Sequence, residues 1–488
     1  DYGKFWCCPR FRHPTKVADM RNGFGKRLRM RFGQRLFLAA ILVPSAFAGG
    51  LVGSLILDGH SNAWATGEKE NPYAVTQMMG RVLAQVENDY VDPVDRARLV
   101  QGAIKGMVAE LDPHSSYMPR EDYQSFQQDT EGQFGGIGVE VDVRTEAITV
   151  ISAIDGSPAA AAGVKHGDQI IAIDGEYVQN ATFDNMLKKM RGVPGTHVKI
   201  TVKRLGTKEP IVFDLVRQII HVTSVQSKML DGNVAYIRLK QFQDHTHDEL
   251  LKAAATLRAS GNVSGVLLDM RSNPGGLVDE AADVADEFMG GGQIYSMRHR
   301  GHIVDEARAR SGGAFAGVPV VILVDEWSAS AAELVAGALQ DSGRAIVVGQ
   351  NTFGKGSVQA IIDLPDGAGL RLTTARYYTP SGHAIQADGI HPNVLVRPAK
   401  ASPQSAYPEL RERDLDGHLA PEERAKDPVN QRTVTAPADD DLQPKDLSEI
   451  PRNPSYGGPP SSPPKDFMLS VGYDTLRVEL ASQAAATK

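Results

Sequence analysis

Between Asn233 and Gly349 four short apolar runs, NVAYIRLKQF, GVLLDMRS, VPVVILVDE and AIVVG, alternate with three runs of helical period, HDELLKAAATLRAS, LVDEAADVADEFM and AAELVAGALQD. No other feature constrains the chain as much. Strands separated by helices cannot return through tight hairpins, so each connection must be a crossover. The pattern therefore predicts a largely parallel sheet in an α/β domain over residues 219–399.

Upstream the pattern is different. Residues 73–125 read as helical, with Met78, Val82 and Val86 on one face, until LDPHSSYM breaks the period at Pro113. A helical arm over residues 70–127 is expected. From Gly135 to about Gln218 come GGIGVEVDV, ITVISAI, DQIIAIDGE, HVKITVKR and PIVFDLV, with two helical pieces, SPAAAAGV and FDNMLKKMRG. These predict a compact, mostly β domain over residues 128–218. From about Pro398 the sequence turns polar and proline-rich, with ADDD and GGPPSSPP. Residues 400–488 are expected to form a largely disordered tail ending in a short helix near FMLSVGYDTLRVEL.

Charge is distributed unevenly. Residues 1–35 carry ten Lys/Arg against Asp1 and Asp19, a charge of +8; the formal net charge is −7, which leaves −15 for the remainder. Directly after this block comes LFLAAILVPSAFAGGLVGSLIL, Leu36 to Leu57, 22 residues without a charge. As a helix it would be about 33 Å long, enough for a bilayer core. A positive flank on its N-terminal side predicts one N-terminal transmembrane or signal-anchor helix at 36–57, a basic cytoplasmic segment at 1–35, and export of everything after Asp58. Ala63-Trp64-Ala65 keeps open the alternative of a cleaved signal peptide. A buried globular helix is disfavoured because the run is apolar on all sides. The membrane accounts for the basic block, so no nucleic-acid surface is expected. Cys7 and Cys8 both precede the apolar run, which leaves the part beyond it without disulfides or thiol chemistry.

The chemistry turns on WSASAAEL, Trp327 to Leu334, where a strand gives way to a helix. Ser330-Ala331-Ala332-Glu333 spells a capping box, in which Ser330 does no more than start the helix. The same position also exposes a serine beside the N–H groups of a helix start, which suits an oxyanion. Position alone leaves both readings open. A nucleophilic serine needs a base, and TFGKGSVQAIIDL places Lys355 in a glycine-rich turn before a strand. Using the free amine of a solvated lysine near neutrality would cost roughly 4–5 kcal/mol, so burial would have to favour the neutral form. Gln359 projects from the same face of an extended segment and is placed to orient that amine. A surface lysine in a turn is the plainer alternative. DMRSNPGGLVDEA offers the Gly276 N–H at a second strand-to-helix junction, or an ordinary Pro-Gly turn.

Two decoys fall away. Gly349 to Lys355 satisfies G-x-x-x-x-G-K, but Gly356 stands where Ser or Thr should hold magnesium, and the following text is strand-like. His245 and His247 lack companion ligands, so a solvated face is expected there and neither metal nor cofactor is called for.

In this order, LDPHSSYM, GGIGVEV, SPAAAAGVKHGDQIIAIDG, DMRSNPGG, SASAAELVAGALQD, TFGKGSVQ and TTARYYTPSGHAIQADGIHPN resemble the carboxyl-terminal processing (tail-specific) peptidases, serine peptidases with a Ser–Lys pair. The resemblance covers about residues 70–399. It implies that Ser330 is the nucleophile, Lys355 the general base and Gln359 the group that orients the lysine, with the backbone N–H groups of Gly276 and Ala331 as oxyanion hole. It also implies a crotonase-like α/β core and a PDZ identity for the inserted β domain. There Gly136, Ile137, Gly138 and Val139 would bind a substrate tail, the carboxylate in the nest of the GGIG loop and the chain added along Val139–Val141. The family's serine motif reads GSASASE, whereas this chain has Trp327 and Ala332; neither change touches a catalytic atom.

The expected protein is thus a bacterial envelope endopeptidase, anchored in the inner membrane with its catalytic part in the periplasm. Its partners would be protein or peptide substrates with free apolar C-termini, with room for an adaptor protein and for oligomers. The alternative, a PDZ-bearing scaffold with an inactive peptidase core, is opposed by the intact trio Ser330, Lys355 and Gln359.

Overall fold

A computed structural model describes residues 6–8, 72–145, 147–154, 156–178, 183–398, 410–421, 431–437, 442–456 and 466–486. The apolar run 36–57 and Ala63–Ala65 lie outside the described residues. Among the described residues no helix is long and apolar enough to cross a membrane. The chain divides into two units, residues 11–102 and residues 1–10 with 103–488. In the first, helix Pro72–Asp89 is followed by the start of Arg96–Ala109, and Arg96 Nη2 meets Glu87 Oε2 across the turn at 2.6 Å.

The second unit is organised by a seven-stranded sheet in the order Val225–Leu230, Val234–Leu239, Gly265–Asp269, Val320–Val324, Ala345–Gly349, Val394–Arg397, Arg432–Thr435. Its first pair is antiparallel and every later pair parallel. Spatial order follows chain order, so right-handed crossovers stack their helices on one face. On that face Ile237, Leu268, Ile322 and Val347 pack with Leu250, Val284 and Leu334 from helices Thr246–Ser260, Val278–Asp286 and Ala331–Asp341.

Alternate residues of the same strands, Tyr236, Leu267, Val321, Leu323 and Val348, point to the opposite face. Here the structure departs from the expected disordered tail. Phe467–Ala486 is a 20-residue helix whose Phe467, Met468, Leu469, Tyr473 and Leu476 cover that second face, and Arg432–Thr435 extends the sheet. The physical reason is that a parallel sheet must be buried on both sides, and the crossover helices cover one. The joint is ionic. Arg271, fully buried, spans Asp269 (Nη2–Oδ2 2.6 Å) and Asp466 (Nη1–Oδ1 2.8 Å) and donates to the Leu442 carbonyl at 3.0 Å. Burial opposes its charge, but the two carboxylates outweigh that and hold the guanidinium well above its ordinary value.

A second, antiparallel sheet runs His302–Ala309, Gly292–His299, Gly369–Tyr378, Ser357–Asp363, and Ser116–Met118 also pairs with Gly369–Tyr378. That last pairing stitches the LDPHSSYM stretch to the core. The inserted β domain is the sheet Val139–Thr145, Ala147–Ala153, Gln169–Ile173, His197–Lys203, Ile211–Val216, closed over Ile148, Val150, Ile170, Ile200 and Val202. The chain enters and leaves it through one antiparallel ribbon, Gln133–Gly136 with Gln218–His221. Trp6–Cys8 forms a short strand parallel to Gly275–Leu277.

Asp466→Ala would leave Arg271 with Asp269 as its one carboxylate partner, with buried guanidinium N–H groups unsatisfied, and loosen the C-terminal helix. Urea unfolding should register a loss of about 3–5 kcal/mol; a change below about 1 kcal/mol would mean that the helix is held by apolar contacts alone.

Candidate active site

The turn before helix Ala331–Asp341 is pinned from below. Asp325 Oδ1 accepts from the backbone of Ser272 (2.8 Å) and Trp327 (3.1 Å) and from Ser328 Oγ (3.0 Å), and the Ala329 N–H reaches the Asn273 carbonyl at 2.9 Å. These bonds force Ser330 to φ +56°, ψ −115°, a strained conformation for a residue with a Cβ. Gly275 abuts this turn: a Cβ there would lie 2.8 Å from Ser330 Cβ and 2.9 Å from the Ala331 nitrogen, so only glycine fits. Gly276 follows in the same short strand, Gly275–Leu277, and the structure thus brings the Gly275–Gly276 backbone and the Ser330–Ala331 turn together.

Glu333 reaches back to the Ser330 N–H at 2.7 Å, as a capping glutamate does, and then goes further. Its fully buried carboxylate also accepts from the Gly354 N–H (2.7 Å), the Lys355 N–H (2.9 Å) and the Thr352 hydroxyl. One side chain therefore fixes the serine turn and the lysine turn relative to each other. Burial raises its pKa and the four donors lower it, leaving the carboxyl pushed up to about 7.

Lys355 is fully buried, and its Nζ donates to Gln359 Oε1 at 2.8 Å. The Gln359 amide is held in turn by Ser357 Oγ (3.0 Å) and Thr373 Oγ1 (3.2 Å). Pairing between Ser357–Asp363 and Gly369–Tyr378 shifts register between Val358 and Gln359, a bulge that re-aims a side chain beside a site. Thr373 Oγ1 donates to Asp112 Oδ1 at 3.1 Å, and Asp112 also takes Ser115 Oγ (2.7 Å) and the His114 N–H (2.9 Å). Burial raises the Asp112 pKa, but these donors outweigh it and hold the carboxyl below its usual range.

Ser330, Lys355 and Gln359 are thus gathered at one end of the parallel strands, with Ser330 and Lys355 joined through Glu333. Gly349 to Lys355 leads into strand Ser357–Asp363, so no helix start follows it to receive phosphates. His247 Nε2 meets Glu287 Oε1 at 2.8 Å, so it is tied rather than solvated, while His245 is exposed beside Asp248. In the β domain, Gly136 ends its ribbon strand, Ile137 is buried, Gly138 turns at φ +74°, and Val139 begins an edge strand of the sheet. Sequence reasoning missed Glu333 as a bridge, along with Asp112 and Thr373. A legible signal was a Glu placed where a helix start must be buried, and LDPHSS as a run of turn-forming polar residues next to a strand.

Three family patterns match separate stretches of the chain. The pattern of Peptidase family S41 matches residues 233–396, that of a PDZ domain residues 135–214, and that of the Activating protease CtpB N-terminal domain residues 60–122. The carboxy-terminal-processing protease of Bartonella bacilliformis is 37% identical over 90% of this chain and 96% of its own length. The carboxy-terminal processing protease CtpA of Bacillus subtilis is 34% identical over 72% of this chain and 75% of its own. Among solved structures, the photosystem II D1 C-terminal processing protease is 28% identical, covering 66% of this chain and 88% of its own, with a TM-score of 0.42.

The Glu333 shift has a thermodynamic signature. With its folded pKa raised from 4.5 to about 7, Glu333 contributes stability that is fully present below about pH 4.5 and is lost as pH rises through 7. The term is about 3 kcal/mol. Glu333→Gln should remove that part of the pH slope when urea unfolding is compared at about pH 4 and about pH 8. It should also slow turnover, because an amide nitrogen must then face a backbone donor; a variant with the parental slope would show that Glu333 does not titrate in this range.

Proposed function

The chain belongs to peptidase family S41, as a carboxy-terminal processing serine protease with a PDZ domain, and on that premise we propose that it cleaves through a Ser–Lys mechanism. The observation that carries this reading is the fully buried Lys355 with its amine on Gln359 Oε1 at 2.8 Å. Burial in a low dielectric favours the neutral amine over the ammonium. In the proposed cycle Lys355 Nζ takes the proton of Ser330 Oγ as the oxygen attacks the scissile carbonyl carbon. The Gly276 and Ala331 N–H groups hold the oxyanion, and Lys355 returns the proton to the departing amine, leaving an ester on Ser330. Water, activated by Lys355, then releases the new C-terminus. The inactive-scaffold alternative has no use for a buried lysine held by an oriented amide.

Substrate choice is assigned to the PDZ domain. Val139–Thr145 is an edge strand, which supports addition of a substrate tail along it, with Gly136, Ile137 and Gly138 facing the terminal carboxylate. The preferred substrates would be envelope proteins with apolar C-terminal tails. The one-sided crossover helices of the core sheet support a crotonase-like fold.

The basic block and apolar run before Asp58 support anchoring in the inner membrane with the catalytic part in the periplasm. An anchor of that topology and the pairing of Trp6–Cys8 with Gly275–Leu277 exclude each other in one molecule. Cys7 and Cys8 therefore report the topology: in cells with a permeabilised outer membrane they should resist a membrane-impermeant maleimide. Labelling would overturn the anchor.

Ser330→Ala and Lys355→Ala should each lower kcat on a loosely folded reporter with an apolar tail by at least about 10³-fold. Two terminal aspartates on the reporter should raise KM. Retained cleavage in either variant would end the Ser–Lys assignment.

A further inference from the structure

We propose that Glu412 is a positioning residue for the catalytic base, holding the lysine-bearing loop in shape from a segment beyond the matched peptidase residues 233–396. The inference rests on Lys355 being that base. Glu412 begins the short 3-10 turn Glu412–Asp414, in a stretch whose composition reads as linker, yet its side chain is fully buried. A buried carboxylate is costly unless each oxygen is engaged. Both are. Oε2 faces His114 Nε2 at 2.7 Å, and Oε1 accepts from Gln386 Nε2 at 2.9 Å.

Gln386, also fully buried, uses its other amide atom on the loop itself: Oε1 accepts the Gly356 N–H at 3.1 Å, one residue past Lys355. The fit is tight, since a Cβ on Gly356 would stand 2.3 Å from the Gln386 nitrogen. On the other flank of Lys355, the Glu412 N–H reaches the Phe353 carbonyl at 3.2 Å, while Arg411 Nη1 reaches those of Asn351 (2.8 Å) and Thr352 (2.9 Å). Two consecutive residues of one remote segment, Arg411 and Glu412, thus hold the loop directly before the lysine and, through Gln386, just after it.

The second branch closes a ring. From Glu412 the path runs to His114, through the His114 N–H to Asp112, through Thr373 Oγ1 to Gln359, and so back to Lys355 Nζ. Burial holds the His114 imidazole below its usual value, against the pull of Glu412, so a neutral ring donates from Nε2 to the carboxylate. Glu412 is where the two arms of the ring meet, and a ring closed at that point keeps both Gln359 and the Gly356 turn in register with the amine.

Steady-state cleavage of the apolar-tail reporter, read as kcat, KM and the pH profile of kcat, tests this. Glu412→Ala should lower kcat about 10²-fold with KM within about threefold. It should also move the acid limb of the profile to higher pH, because water admitted to the loosened loop favours the ammonium. Glu412→Gln should recover most of kcat, since an amide can still accept from Gln386 and donate to a neutral His114. Gln386→Leu should shift kcat and the acid limb in the same direction, and the double variant should be less than additive because both changes cut one path. If Glu412→Ala does not fold, Gln386→Leu decides by the same two readouts. Folded variants with kcat within about threefold of the parent and an unmoved acid limb, while Lys355→Ala is inactive, would overturn the role of Glu412 alone. Cleavage by Lys355→Ala would instead remove the base assignment, and this proposal with it.

Discussion

Four donors converge on the carboxylate of Glu333: the backbone N–H groups of Ser330, Gly354 and Lys355, and the hydroxyl of Thr352. The site depends on this arrangement. Ser330 ends one strand-to-turn connection and Lys355 opens another, and nothing in either segment alone sets their separation. A carboxylate without water around it must find protein donors, and the donors it finds are the backbones of the serine and lysine turns and the Thr352 hydroxyl. The demand of one buried carboxylate thereby sets the geometry of the serine turn relative to the lysine turn.

The same demand operates further out. Arg271 at the end of strand Gly265–Asp269 needs two carboxylates, and the second, Asp466, comes from the start of the C-terminal helix. Asp112 needs Ser115, Thr373 and the His114 N–H, which draws the end of the helical arm onto strand Gly369–Tyr378. Glu412 draws in the segment after the core. Each distant piece of chain is recruited by a buried polar group whose partners are scarce, while apolar packing against the two faces of the sheet supplies the bulk of the burial.

Legibility in the sequence followed the range of the interactions. Strands such as VVILV and helices such as HDELLKAAATLRAS are written in local period, and both occur where the period puts them. Lys355 and Gln359 are close in the chain, so the spacing already carried their contact. A short helix near FMLSVGYDTLRVEL is legible in the sequence, but its packing on the sheet is not, because its surroundings are polar and proline-rich and composition measures only local burial capacity. Its place is set non-locally: strands apolar on both sides require two covers, and the crossover helices supply one. Glu333 was read as a helix cap because that role is local; its bonds to residues 352–355 depend on a turn that approaches only in the folded state.

The sequence by itself determined the alternation of elements, the inserted β domain, and the serine, lysine and glutamine that make a peptidase site chemically conceivable. Those follow from period, turn chemistry and side-chain type, all of which act over a few residues. Only the tertiary structure decided that Ser330 and Lys355 share one carboxylate, that Arg271 closes the core with Asp466, and that Glu412 is buried beneath the lysine loop. The reason is physical: which donors a buried charge receives depends on what else reaches it, and that is not defined until the chain has folded.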